Sequence, residues 1–132
     1  MSTTTESGHA SGQETETGLD ENVAAALAYV LGWLSGIVLY LLESENEYVR
    51  FHAAQSIVVF GAIFIAGMVL NVTQAFALFG NVTRALLGPI FALLTLGLWL
   101  GALVLWLYLI IRTYQGENPR IPVAADIADD LV

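Results

Sequence analysis

The side chains with chemistry to offer are gathered in one short stretch. Glu43, Glu47 and Arg50 stand four and three residues apart, and His52, Gln55 and Ser56 follow at once. A continuing helix would bring the three charges onto one face, since residues three and four apart are helical neighbours. An imidazole close to carboxylates raises two possibilities, acid–base catalysis and metal binding. A metal centre needs three or four converging ligands, and the other histidine, His9, lies far off among Ser, Thr and Glu. No nucleophile–base arrangement is visible, and cysteine is absent altogether. No catalytic residue, metal ligand or cofactor is therefore expected. Two readings remain for the stretch: a solvated turn whose charges mark a membrane edge, or a polar contact site for a partner helix or lipid headgroup.

The elements around this stretch are those of a membrane. Three long uncharged apolar runs, at about 23–42, 51–70 and 89–111, each hold roughly the 20 residues that cross a 30 Å hydrocarbon core as a helix. Asp20, Glu21 and Asn22 offer capping oxygens and negative charge where the first would begin. Gly32 and Gly36 in the first run, and Gly97 and Gly101 in the third, repeat the four-residue spacing that lets helices approach closely. Pro89 suits the first turn of the third helix, and Gly116 with Pro119 just beyond suits its end. Between the second and third runs, residues 71–88 carry Asn71-Val72-Thr73 and again Asn81-Val82-Thr83. That segment is too short and polar for another crossing and reads as interfacial or re-entrant. Its sequons would accept N-glycans if they faced outside. They lie so close to the membrane that turn chemistry is the simpler reading.

Composition agrees. Of 132 residues, 57% are hydrophobic and only 12% charged, against roughly 25% charged in soluble proteins. The net charge of −8 comes from twelve acidic residues against four Arg, with no Lys. Nucleic acid is excluded as a partner, because phosphates are bound by clustered Lys and Arg. Acidity of this kind also suits a salt-loaded cytoplasm, so a halophilic source is expected. Residues 1–22 hold almost nothing apolar and are expected to be disordered. Residues 113–132 read as a C-terminal tail. No basic n-region precedes an early apolar core, so no cleavable signal peptide is expected.

Two stretches are more specific than composition. Leu31-Gly32-Trp33, Leu42-Glu43 and the run Tyr48-Val49-Arg50-Phe51-His52-Ala53-Ala54-Gln55-Ser56 resemble a widespread family of small multi-span membrane proteins. That family is distantly related to the twenty-kilodalton Tic subunit of chloroplast protein import. Tyr114-Gln115-Gly116, Arg120-Ile121-Pro122-Val123 and Asp126-Ile127-Ala128 are similar to its C-terminal end. Glu117 and Pro119 stand where the family often has a basic and an aromatic residue. The resemblance implies a helical membrane fold over about residues 18–128.

The resulting expectation is an all-α integral membrane bundle of three transmembrane helices with a short interfacial segment between the second and third. The function expected is that of a non-enzymatic structural or interaction component, partnered by the lipid bilayer and by a second copy or another membrane protein. The alternative is a small oligomeric channel or a protein-translocation-linked subunit. Three crossings would put Arg84 on one side and Arg50, Arg112 and Arg120 on the other. Since Arg excess marks the cytoplasmic side, the N-terminus is expected outside the cell and the C-terminus in the cytoplasm.

Overall fold

The computed structural model describes residues 14–77 and 79–132; His9 and the rest of 1–13 lie outside the described residues. Five helices follow in order: α1 (Glu21–Val30), α2 (Trp33–Leu42), α3 (Glu47–Ala77), α4 (Asn81–Tyr114) and α5 (Ala124–Leu131). Among the described residues there is no strand. Helices α3 and α4, of 31 and 34 residues, are long and apolar enough to cross a membrane. With the shorter apolar α2 they fit the expected three-helix membrane bundle.

The first apolar run is disposed differently from a single continuous span. It is two helices of ten residues each, about 15 Å apiece and so half the depth of a hydrocarbon core. The break falls at Gly32, whose φ of 63° is left-handed, a conformation glycine adopts without the penalty a Cβ imposes. From there the chain doubles back. Ala24 and Ala25 share a cluster with Tyr48 and Val49, while Tyr29 reaches His52 and Phe60 further along, so α1 runs parallel to α3. Helix α2 runs the other way. Gly32 lies against Phe60, Gly36 against Ala53 and Ile57, and the Tyr40 carbonyl meets Arg50.

A break at this depth leaves backbone groups that lipid cannot satisfy, and such a turn survives only where protein satisfies them. Three side chains do so. The Trp106 indole donates to the Tyr29 carbonyl at 2.9 Å and the Val30 carbonyl at 3.2 Å. Ser35 Oγ accepts from the Leu31 N–H at 2.9 Å and donates to the Ala28 carbonyl, also at 2.9 Å. Ser56 Oγ donates to the Gly32 carbonyl at 2.8 Å.

Helix α4 returns alongside α3, so that Tyr48 near the start of one meets Thr113 at the end of the other. Consequently residues 14–20, the connector 43–46 and the C-terminal segment share one end of the bundle. The expected sidedness put the two termini on opposite sides of the membrane; among the described residues, those nearest the two ends lie together, with Asn22 donating to the Tyr114 carbonyl. The positive-φ glycine is where α1 and α2 fold back on each other.

The two ends of the bundle are built unequally. At the shared end α1, α2 and α5 surround α3 and α4. Beyond Phe64, whose ring lies 5.4 Å from that of Trp33, α3 and α4 have only each other. A Cβ on Gly67 would stand 3.7 Å from Trp99, and Ile65, Met68, Val69, Leu93 and Leu96 face outward. The segment 71–88 is the tip of this hairpin: α3 continues through Ala77, and α4 starts at Asn81 after Gly80. Pro89 accordingly lies inside α4 rather than in its first turn.

Gly116 ends α4 as expected. At φ 82° it lets the Glu117 N–H reach the Arg112 carbonyl and its own N–H reach that of Thr113, the paired bonds of a Schellman motif. The chain beyond is docked rather than a loose tail. Ala125 and Ala128 of α5 pack on Phe51 and Ala54 of α3.

Candidate functional site

The connector is short because each of its ends is capped. Asn46 Oδ1 accepts the Val49 N–H at 3.1 Å, the bond of an N-cap residue, and so starts α3 at Glu47. Helix α2 has already ended at Leu42. Glu43, Glu47 and Arg50 therefore do not share a helical face, and the structure gives each a different task.

Glu43 is buried, and its carboxylate accepts the Glu16 N–H at 2.6 Å and the Thr17 N–H at 2.9 Å. Glu16 returns the favour, accepting from the Ser44 N–H at 2.5 Å and the Ser44 hydroxyl at 2.7 Å. Asn46 Nδ2 donates to Glu21 at 2.8 Å and to the Glu14 carbonyl at 3.1 Å. Residues 14–22, expected to be loose, are thus strapped across the connector. Arg50 caps the end of α2, donating to the Tyr40 carbonyl at 2.8 Å while its guanidinium lies 4.0 Å from the centre of the Tyr40 ring. Glu47 alone stays exposed, in the first turn of α3 where negative charge suits the helix dipole.

The Ser44 hydroxyl and backbone hold the Glu16 carboxyl below its ordinary value. The unfolded carboxyl titrates near 4.5, so the strap's contribution is fully present above that pH. It is lost as pH falls further, through the depressed folded value. Amide-exchange protection at Ser44 and Glu45, corrected for intrinsic rates, is expected to drop below pH 4.5. In a Glu16→Gln variant it should be flat across the same range. Equal profiles for the two proteins would show that the strap does not depend on this carboxylate.

His52, Gln55 and Ser56 are brought together, on the face of α3 turned into the bundle. All three are buried. His52 sits among the rings of Tyr29, Tyr48 and Phe51, at centroid distances of 5.7, 4.8 and 5.1 Å. Gln55 Nε2 donates to the Tyr29 hydroxyl at 2.8 Å. That hydroxyl is in turn hydrogen-bonded to His52 Nδ1 at 2.7 Å. His52 Nε2 and Thr113 Oγ1 lack a partner at hydrogen-bond geometry, although the Asn118 side chain faces the imidazole and Thr113 faces the Tyr29 hydroxyl.

Gln55 also binds the C-terminal segment from both sides. Its Nε2 donates to the Pro119 carbonyl at 2.9 Å and its Oε1 accepts the Ile121 N–H at 2.8 Å. Tyr48 donates to the Glu117 carbonyl at 2.6 Å, and Tyr40 donates to the Leu131 carbonyl. Arg120 lies 4.9 Å from the centre of the Phe51 ring and pairs with Asp129 at 2.6 Å. This arrangement clamps chain to chain. Among the described residues no three His, Cys, Asp or Glu side chains converge on a point. Tyr29, Asn46, Tyr48, Trp106 and Thr113 belong to the network but were not singled out as site residues. Asn46 alone carried a local signal, as a capping residue ahead of a helix.

The small-residue pairs part company here. Gly36 is a true close approach, since a Cβ on it would lie 2.9 Å from the Ala53 carbonyl oxygen. Gly32 makes the turn. Gly97 and Gly101 face open space, with nothing within 4 Å of an added Cβ.

The sequence profile of the magnetosome magnetite crystal formation protein family matches residues 20–128. A UPF0132 membrane protein of Methanocaldococcus jannaschii is 36% identical over 116 residues, covering 88% of this chain and 92% of its own length. One from Archaeoglobus fulgidus is 36% identical over 114 residues, covering 86% and 97%. No solved structure matches the chain.

Proposed function

We propose, from the premise that this chain belongs to the magnetosome magnetite crystal formation protein family, that it is a non-enzymatic membrane component acting through its shape and its contacts. The mineral in the family's description is said of the proteins that gave it that name. What is carried to this chain is the membrane location that its relatives' names state. One observation carries the reading. The buried polar side chains bind backbone and one another, tying three chain segments into a cap, while the far halves of α3 and α4 turn apolar side chains outward.

A pore would need Gln55 and Ser56 free to meet water or an ion, and both are engaged with carbonyls inside the fold. A photo-crosslinker at Leu93, which is exposed on α4, tests the contact reading in native membranes. Repeated capture of one protein, or of a second copy, supports it. Lipid adducts alone, together with ion flux in liposomes that is lost on changing Gln55 or Ser56, would favour a channel. Capture of a translocation component would support the alternative of a translocation-linked subunit.

Sidedness follows the same-end architecture. Arg50, Arg112 and Arg120 lie at the shared end and Arg84 at the hairpin tip, so the shared end is proposed to be cytoplasmic. The chain has no native thiol. Single cysteines at exposed Glu45, Asp130 and Asn81 are expected to divide cleanly with an impermeant maleimide on intact cells: position 81 labelled, 45 and 130 protected. Labelling at 130 with protection at 45 would mean the two segments lie on opposite sides.

A further inference from the structure

We propose that this protein is a curvature element: a wedge wider in the leaflet at its shared end, which accumulates where that leaflet is convex. The inference rests on the same-side arrangement of both ends and goes beyond it. At the shared end the bilayer must accommodate α1 and α2 as well as α3 and α4. Past the turn at Gly32 it accommodates two helices only. Two helices of roughly 10 Å diameter add on the order of 150 Å2 to one leaflet and nothing to the other.

The wedge cannot close by shearing, because its extra helices are fixed at both levels. Trp106 and Ser56 hold the turn at mid-depth, and Arg50 and Asn46 hold the opposite ends of α1 and α2 through Tyr40 and Glu21. With the protein stiff, the lipid adapts its curvature.

Helix α5 adds area to the same leaflet by an independent route. It has three sectors. Ala124, Ala125 and Ala128 are buried in the bundle; Asp126, Asp129 and Asp130 face water, two of them pairing with Arg120. Val123, Ile127 and Leu131, spaced by four, form an exposed apolar stripe. The helix packs at the level of Phe51 and Ala54, where the spanning part of α3 begins. Its apolar stripe therefore meets lipid at the headgroup–acyl boundary, and a helix seated there is sensitive to curvature.

The test uses the whole protein, inserted in both orientations into phosphatidylcholine vesicles of mixed size. A dye-maleimide added outside labels Glu45→Cys only in molecules whose shared end faces out, and Asn81→Cys only in the inverse population. Dye density per membrane area is then read vesicle by vesicle. The density of Glu45→Cys label is expected to rise severalfold from the largest to the smallest vesicles, and that of Asn81→Cys label to fall. Two profiles of the same slope, flat or not, would overturn the wedge. In a Glu45→Cys/Asp130→Cys double variant, molecules that label at only one of the two positions from outside would instead remove the shared-side premise.

Discussion

Gln55→Leu releases the C-terminal segment from the bundle. The wild-type amide bridges the Pro119 carbonyl and the Ile121 N–H and also donates to the Tyr29 hydroxyl. Leucine fills much the same volume and meets none of the three. A buried donor or acceptor left unpaired costs about 1–3 kcal/mol, and two backbone groups lose their partner together. The expected loss is about 3–5 kcal/mol for the docked state. The segment would escape part of it by lifting into water, taking Arg120 and α5 along. The amide of Ile121 should then exchange orders of magnitude faster, and proteolysis should begin within 117–123, while α3 and α4 stay intact. An Ile121 amide as protected as in the parent would show that the clamp is not what holds the segment down.

Gly36→Leu should separate α2 from α3. A Cβ at this position would lie 2.9 Å from the Ala53 carbonyl oxygen, 3.0 Å from Ile57 Cγ1 and 3.2 Å from the Ile57 N. Two of those atoms belong to the α3 backbone, so no rotamer change makes room, and the added branch needs still more. Overpacking typically costs 1–3 kcal/mol; against backbone, about 3 kcal/mol or more is expected. Thermal unfolding in detergent reads it directly. Gly97→Leu is the matched control. It meets open space and should leave the stability of the single chain unchanged. Comparable losses for both variants would mean that Gly97 also packs, against a second copy.

These two glycines show how far the sequence could be read. Their spacing is identical, and nothing local separates a glycine under a neighbouring helix from one facing lipid. Gly32 was harder still, since a left-handed turn and a close helix contact both call for glycine. The all-helical membrane architecture was legible because twenty uncharged apolar residues admit few alternatives. Gly116 was legible because its bonds close within five residues. The clamp was not: Gln55 finds Pro119 and Ile121 across 64 and 66 residues, and no pattern near any of them announces it. Nor did the run 23–42 reveal that it doubles back, for Ser35, Ser56 and Trp106 look like incidental polar atoms until a broken helix stands beside them. The place of residues 14–20 depended on the same fold-back, which sets them at the end of the bundle that holds Arg50, Arg112 and Arg120.

The half-depth turn also sets an order of assembly. Helices α1 and α2 leave the ribosome before α4, yet the Tyr29 and Val30 carbonyls find their donor only in Trp106, 77 and 76 residues later. Until then the hairpin has unmet polar groups that the hydrocarbon would penalise, and the water-facing side of the membrane is the cheaper place for it. These helices are made before α4, but their final burial waits for it.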